Sequence, residues 1–396
     1  MKKSLFIIAA TALVISCASD GVRNDIVENE IPIGFVPSFM EKVTRANAGE
    51  MMVGDNNTFN IVGNSFEVWG WKTPKATTEV PSPTPNKIFD AQGVFYATPA
   101  ANATTGWYYT PLKYWDKTAT YEFYAAAPHN VFTLNSDKKF TLTIASANTF
   151  QVLEDMAGSN KIKLAYNTDN NVTGTASTAV DYLVAGKVEG GYGLGVDNKG
   201  NATDKDVAFT FSHILSKLTL NVLTTDDFNH TASTDPQYPR IELTDLKISL
   251  NGMATSFTQK TSGSLTPATN DGDTWATPIS AAIEKVCFDV DDTKVSSKLL
   301  LSTTAQKIAA YFVAPTTTGA NPGTATVKVT AEYDVIYSST LTDHCVSEET
   351  TVANLTSFVQ NTHNILNIKI SPDAILFDVE TVGGFTDQTP IEQEVH

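Results

Sequence analysis

The sequence predicts an all-β protein built from two tandem β-sandwich domains with few short helices. Apolar and polar residues alternate with a period of two in many short segments, which is the pattern of half-buried strands. Thr, Ser, Asn, Val and Ala are abundant, whereas Glu, Lys, Arg and Leu are few, and this composition favours strands over helices. The best helical candidate, residues 277–286, spans only about three turns.

The first 16 residues are predicted to be a lipoprotein signal peptide. Lys2 and Lys3 form a basic start, residues 5–15 are an unbroken apolar run, and Leu-Val-Ile-Ser-Cys ends at Cys17. This run is too short to cross a bilayer, since a transmembrane helix needs about 20 residues. We expect acyl chains such as palmitate on Cys17 to tether the mature protein to the outer membrane; the alternative is an ordinary signal peptide with a chance cysteine.

Residues 17–45 are predicted to form a tether followed by a removable strand. Ile31, Ile33 and Phe35 lie at alternate positions in a short strand pattern that ends at Pro37. A small polar stretch, residues 42–49, follows and has the composition of an exposed loop. It contains Arg45 and Ala46, so a protease that cuts after arginine would separate this strand from the rest of the chain.

Further strand patterns recur along the whole chain. The clearest cover residues 66–71, 107–109, 114–115, 121–126, 140–144, 181–185, 207–211, 218–222, 241–250, 309–313, 325–337, 362–370 and 375–379. The apolar positions change parity around residues 213–217, which predicts a bulge or turn between two strands.

Length, charge and linker composition predict two domains and exclude nucleic acid as a partner. The chain has 396 residues, and its glycine-rich segment 186–206 is the best linker candidate, so the predicted domains are 46–205 and 206–396. There are 43 Asp and Glu against 27 Lys and Arg, and removal of Lys2 and Lys3 changes the net charge from -16 to -18. Such a chain repels nucleic acid.

The motifs of common enzymes are missing from the sequence. The six histidines, at positions 129, 213, 230, 344, 363 and 396, form no His-Glu-x-x-His pattern, and the sequence has no Cys-x-x-Cys and no Gly-x-Ser-x-Gly. Ser212 and His213 are adjacent in a strand, so their side chains point to opposite faces. We therefore predict no enzyme, no cofactor and no metal site.

Two pairs of residues leave alternatives open. Cys287 and Cys345 could pair in an exported protein, but a disulfide requires Cα atoms within about 7 Å, and two separate thiols are the alternative. Trp69 and Trp71 share one face of a strand, so they are a candidate glycan platform, with core packing as the alternative. The platform defines a competing function: a monomeric surface lipoprotein that binds glycans.

An ordered set of short segments resembles the fimbrillins of the Bacteroides group, which are type V pilus subunits. The matching segments are the residues ending at Cys17, Ile-Pro-Ile-Gly-Phe at 31–35, Thr-Arg-Ala at 44–46, Pro-Leu-Lys-Tyr-Trp at 111–115, and residues 121–128, 181–185, 211–218, 310–315 and 361–377. They run in the family's order across nearly the whole chain. One departure is Val-Gly-Gly-Phe at 382–385, where relatives often have a tryptophan.

The resemblance implies transthyretin-like sandwiches and a route of assembly. It implies a lipoprotein precursor at the outer membrane that an arginine-specific or trypsin-like protease cuts after Arg45. Loss of the strand with Ile31, Ile33 and Phe35 would open a groove, and a C-terminal strand of another fimbrial subunit would fill it. The alternation at Ile375, Phe377 and Val379 makes these residues the candidate donor strand. The alternative is that residues 374–382 are an ordinary strand of their own domain, which would leave residues 383–396 to donate or give the tail of a tip subunit no donor role. The implied place of action is a fimbria on the cell surface, with a contribution to adhesion.

Overall fold

The computed structural model describes residues 31–39, 64–98, 104–155, 163–164, 176–177, 179–191, 206–229, 238–259, 273–290, 297–318 and 323–383. In these ranges nearly all regular structure is β-strand, with two 3₁₀ helices at Ser146–Asn148 and Asp226–Phe228. The all-β prediction is confirmed. None of the described helices is long or apolar enough to cross a membrane.

The strands are numbered in chain order. The first thirteen are β1 (Phe35–Phe39), β2 (Ser65–Thr73), β3 (Asn86–Ala97), β4 (Gly106–Tyr108), β5 (Thr120–Ala127), β6 (Thr133–Leu134), β7 (Phe140–Thr143), β8 (Phe150–Asp155), β9 (Lys163–Leu164), β10 (Ala176–Ser177), β11 (Leu183–Ala185), β12 (Val188–Gly190) and β13 (Val207–His213). The others are β14 (Ser216–Thr224), β15 (Arg240–Asn251), β16 (Ala254–Thr258), β17 (Thr274–Pro278), β18 (Ile283–Asp289), β19 (Leu299–Leu300), β20 (Gln306–Val313), β21 (Thr326–Ile336), β22 (Thr342–Val346), β23 (Thr350–Thr351), β24 (Thr362–Ile370) and β25 (Ile375–Gly383).

One eight-stranded sheet organises the first domain. Its order is β1-β13-β11-β5-β2-β3-β4, with β12 paired to β5. The sheet curls around a core of aromatic rings, because Phe35 on the first strand and Tyr109 just after the last strand are in ring contact. The two ends of the sheet therefore approach each other, and β1 lies where they meet.

The second domain contains the other large sheets. A five-stranded sheet has the order β25-β24-β14-β20-β8, and a six-stranded sheet has the order β18-β15-β21-β22, with β19 on β15 and β23 on β21. These two sheets face each other, since Cys287 on β18 contacts the Tyr311 hydroxyl on β20 and Tyr333 on β21 donates to the carbonyl of Ser371. A four-stranded sheet, β17-β16-β7-β6, and the pair β9-β10 complete the pairing.

The sheets divide the chain differently from the predicted boundary at residues 205 and 206. Strand β13, which follows the predicted boundary, belongs to the eight-stranded sheet of the first domain, and the second domain resumes at β14. In contrast, β6, β7 and β8 precede the predicted boundary but belong to sheets that also contain later strands. The glycine-rich segment 186–206 lies between β11 and β13 and includes β12, and all three strands belong to the same sheet. It is a connection within a domain, because hydrogen-bond pairing and not loop composition decides which strands belong together.

Local predictions had mixed outcomes. The parity change is confirmed, since β13 ends at His213 and β14 begins at Ser216. The helix at 277–286 is wrong: β17 and β18 occupy this segment, and Thr277 has a positive φ of 59°. Cys287 and Cys345 form no disulfide. They lie on β18 and β22, with β15 and β21 between them, which places them about three strand spacings of about 4.8 Å apart.

Candidate assembly groove

The N-terminal segment, residues 31–39, fills a groove between two backbone edges. On one side β1 runs parallel to β13, from Phe35 opposite Val207 to Phe39 opposite Phe211. On the other side the amide of Ile33 donates to the carbonyl of Lys113 at 2.8 Å, and the amide of Trp115 donates to the carbonyl of Ile31 at 3.0 Å. We define the assembly groove as the space that this segment occupies between residues 113–115 and 206–211.

Alternate side chains of the segment enter the aromatic core. Ile33 is 0% and Phe35 4% exposed and Pro37 is buried, whereas Val36 is 46% exposed. The centroid of the Phe35 ring lies 5.4 to 6.4 Å from those of five other rings, namely Phe66, Phe89, Tyr109, Phe123 and Phe209. Burial of each large apolar side chain contributes about 1.5 to 3 kcal/mol, so side chains and not only backbone hold this strand.

Polar contacts fix the register of the segment. The Tyr109 hydroxyl donates to the carbonyl of Ile33 at 2.7 Å, and the amide of Val207 donates to the carbonyl of Gly34 at 2.8 Å. Burial raises the pKa of the Tyr109 hydroxyl, which keeps it protonated as a donor. A Cβ atom added to Gly34 would overlap the carboxyl group of Asp206. The groove therefore accepts a residue without a side chain at position 34.

The set of buried side chains in this segment is shifted by two residues toward the C-terminus from the predicted set. Ile33 and Phe35 are buried as a groove-filling strand requires, but Ile31 is only half-buried, and Pro37 is the third buried residue. Proline is tolerated here because β1 is the first strand of its sheet and needs no donor on the outer side. The period-two alternation at residues 31, 33 and 35 continues to residue 37, so the sequence pattern could have predicted that Pro37 is buried. No pattern in the sequence pointed to Tyr109 or Asp206.

The candidate donor residues lie on β25, the last strand of the five-stranded sheet in the described part of the chain. This strand pairs antiparallel with β24, from Ile375 opposite Ile370 to Gly383 opposite Thr362. Ile375, Phe377 and Val379 are half-buried against the core of their own domain, and Leu376 is 57% exposed on the other face. Donation to another copy therefore requires β25 to leave β24 or to extend beyond it.

The candidate glycan platform is not exposed in the structure. Trp69 is 4% exposed, and its ring centroid lies 5.4 Å from that of Phe140. Trp71 is half-buried, and the ammonium groups of Lys138 and Lys87 lie 4.6 and 5.5 Å from its ring centroid. Of the two alternatives, core packing describes Trp69, because β2 is a central strand of its sheet and this face of the strand is covered around Trp69.

A buried polar pair lies where the chain leaves the first sheet. His213 Nδ1 and Asp181 Oδ2 are 2.5 Å apart, and both side chains are buried. Burial raises the pKa of Asp181, an effect that His213 partly opposes. The amide of Ile214 donates to the carbonyl of Tyr182, so this pair lies beside the crossing from β13 to β14. We assign it a structural role.

Three predicted positions lie outside the described residues. They are Cys17, Arg45 and Ala46. By sequence, Arg45 and Ala46 fall in the connection between Phe39 at the end of β1 and Ser65 at the start of β2. A cut there separates β1 from every other strand, since β1 is the first described strand of the chain.

Comparison with known proteins gives a family. The chain is similar to the solved structure of a fimbrial protein from Bacteroides vulgatus, with 16% identity and a TM-score of 0.47; the match covers 89% of this chain and 99% of that chain. It is also similar to the C-terminally truncated tip fimbrial protein Mfa3 from Porphyromonas gingivalis, with 11% identity and a TM-score of 0.31; the match covers 82% of this chain and 95% of that chain. No curated protein matches by sequence. The family model described as Fimbrillin-like matches residues 44–386. The chain belongs to the fimbrillin-like family.

Proposed function

We propose that this chain is a structural subunit of a cell-surface fimbria, exported as a lipoprotein precursor and polymerised by strand exchange after proteolysis at Arg45. The observation that supports this proposal best is the position of the N-terminal segment, residues 31–39, which contains β1. It fills a groove with backbone hydrogen bonds on both sides, yet it is joined to the rest of the molecule by a single connection that contains Arg45. A strand in this position is well suited to replacement by another strand.

The uncut connection explains why the precursor would stay monomeric. While residues 31–39 are covalently attached, they compete for the groove at a high effective concentration, because their binding is intramolecular. The groove edge is then covered, as exposed sheet edges generally must be. After a cut at Arg45 the segment is a separate peptide and loses the advantage of covalent attachment, so a strand from another subunit can compete with it.

The incoming strand in this proposal is β25 of another copy or of a homologous pilin. It is an edge strand with apolar residues at alternate positions, Ile375, Phe377 and Val379. Insertion would add main-chain hydrogen bonds for affinity and side-chain sites for register. The groove and β25 belong to different domains, so each contact joins unlike surfaces, and repeated contacts of this kind build an open filament.

The proposed anchor explains where assembly would begin. Acyl chains on Cys17 would hold the precursor at the outer membrane, and the cut at Arg45 would leave residues 17–45 with the lipid. In a fatty-acid labelling experiment Cys17→Ser should incorporate no label, because serine lacks the thiolate that forms the thioether. Incorporation of label into this variant would refute the anchor.

Limited proteolysis tests the assembly proposal. Trypsin treatment of the purified chain should give filaments in negative-stain electron microscopy, with a new N-terminus at Ala46. Arg45→Ala should remain a folded monomer when an arginine-specific protease replaces trypsin. Lys42 offers trypsin a second cut, so an arginine-specific protease and the matched control Lys42→Ala, which should still assemble, separate the two sites. Filaments from Arg45→Ala with the arginine-specific protease would overturn the proposal.

A further inference from the structure

The groove defines what an incoming strand must look like. Three positions, those of Ile33, Phe35 and Pro37, are buried, and the positions of Val36 and Ser38 face solvent. Position 34 has a different requirement, because the carbonyl of Gly34 is held at 2.8 Å by the amide of Val207 and its Cα faces the Asp206 carboxyl group. A strand that matches the groove therefore has apolar residues two apart and glycine between the first two.

Strand β25 matches this pattern in one register. With Phe377 in the site of Phe35, Ile375 takes the site of Ile33 and Val379 takes the site of Pro37, so all three buried sites receive apolar side chains. Asp378 then falls at the solvent-facing position of Val36, where a carboxylate costs little.

Shifts by two residues are worse. With Val379 in the site of Phe35, Asp378 would lie beside Asp206, carboxylate against carboxylate. With Ile375 in that site, Asp373 would enter the buried site of Ile33, where a charge without a partner costs several kcal/mol. The register with Phe377 in the Phe35 site is therefore the one that the side chains support.

The favoured register contains one mismatch. Leu376 falls at the position of Gly34, and even a Cβ atom there would overlap the Asp206 carboxyl group. Because a hydrogen bond to Val207 holds the backbone at this point, Asp206 has to rotate away before Leu376 can enter. The N-terminal segment requires no such movement.

We infer that Asp206 is the residue that makes the groove prefer its own N-terminal segment over the C-terminal strand of another copy. This inference rests on the proposed strand exchange and adds to it a residue that sets selectivity. The mismatch at Leu376 disfavours early exchange without preventing it, since Asp206 is exposed and its side chain is flexible.

A displacement assay on the cut protein tests the inference. Unacylated protein carries a fluorophore on Cys17 in an Arg23→Lys, Cys345→Ser background, is cut at Arg45 by an arginine-specific protease and still holds its labelled fragment. A peptide of residues 372–383 is titrated in, and release of the fragment is followed by anisotropy. Leu376→Gly in the peptide should lower the half-release concentration about tenfold on wild-type protein, which corresponds to about 1.4 kcal/mol. On Asp206→Ala protein the half-release concentration of the unchanged peptide should fall by a similar factor.

The two substitutions should not add, because they relieve the same overlap. Asp378→Gly is the matched control peptide. It also adds a glycine to the strand, but at the solvent-facing position, so it should not lower the half-release concentration. The role of Asp206 would be overturned if Leu376→Gly lowered the half-release concentration equally on wild-type and Asp206→Ala protein. It would also be overturned if Leu376→Gly did not lower the half-release concentration at all. If no version of the peptide releases the fragment, the proposed donor strand itself is wrong, and the inference falls with it.

Discussion

Strands β1 and β25 are both end strands of their sheets, but they are attached in different ways. The five-residue β1 runs parallel to β13, and the segment that contains it inserts Ile33 and Phe35 into an aromatic core. The nine-residue β25 runs antiparallel to β24 and rests half-buried side chains on the surface of its domain. The short strand depends on side-chain burial, and the long strand depends mainly on its backbone ladder.

This difference indicates which strand each domain can lose. Removal of β1 exposes a pocket lined by aromatic rings, so the domain left behind has a strong tendency to bind a replacement. Removal of β25 exposes the edge of β24 and only part of an apolar face. In the proposed exchange the first domain is therefore the acceptor, and β25, once it has left β24, is the donated strand.

The largest expected effect comes from the same substitution in both strands. In the uncut chain Phe35→Ala should lower the free energy of unfolding by about 3 to 5 kcal/mol, as for other buried phenylalanines. Phe377→Ala should cost roughly half as much, because its side chain is only half-buried and the loss scales with buried area. Urea unfolding measures both, and Val36→Ala, at an exposed position, should change stability by less than about 0.5 kcal/mol. Equal losses at both phenylalanines would contradict the comparison.

A smaller effect is expected from the hydroxyl group that holds β1. Tyr109→Phe removes the hydrogen bond to the carbonyl of Ile33 but keeps the ring, so it should weaken the binding of the segment by about 1 kcal/mol. After a cut at Arg45 the N-terminal fragment should dissociate about fivefold faster in this variant, as fluorescence of a labelled fragment would record. Tyr333→Phe, which removes a hydroxyl contact in the other domain, should leave this rate unchanged.

The smallest expected effect is a pH dependence that arises from Glu67 in the first domain. Glu67 on β2 is buried, and burial raises the pKa of its carboxyl group although the amides of Phe132 and Asn130 donate to it. Because the pKa is higher in the folded state, the folded chain favours the protonated group. Its contribution to stability is fully present below the ordinary value of 4.5 and is lost as pH rises through the raised pKa.

Glu67→Gln should remove this part of the pH dependence, since an amide does not titrate in this range. The test is to measure the thermal midpoints of the wild type and of Glu67→Gln from pH 4 upward and to compare how the two midpoints change with pH. A difference between the two curves that does not change with pH would show that Glu67 does not titrate as described. Asp116 serves as a contrast, because its contact with Lys72 lowers its pKa to about 2, and its contribution is lost only in strong acid.

The sequence was informative about strands and about the N-terminal segment. Period-two alternation identified the strand at Ile33 and Phe35, because alternation reports directly which side chains share a face. The resemblance to fimbrillins supplied the family. It also supplied Arg45, which still awaits an experiment.

Other features depend on contacts between residues that are far apart in the chain. Asp206 and Tyr109 meet the N-terminal segment only through folding, so no local pattern could pair them with Gly34 or Ile33. Parity placed Trp69 on one face of a strand but could not say whether that face was covered. The glycine-rich segment 186–206 has the composition of a linker, although the strands on either side of it lie in one sheet.

The central claim is that β25 of one copy occupies the groove of another after cleavage, and disulfide trapping tests it most directly. One protein carries Asp206→Cys and the other Leu376→Cys, both with Cys17 and Cys345 replaced by serine, and the two are mixed under mild oxidation. We predict a disulfide-linked pair that forms after an arginine-specific protease cuts at Arg45 and does not form between uncut chains. A filament that contains no such cross-link, or a cross-link that forms equally well without cleavage, would contradict the account.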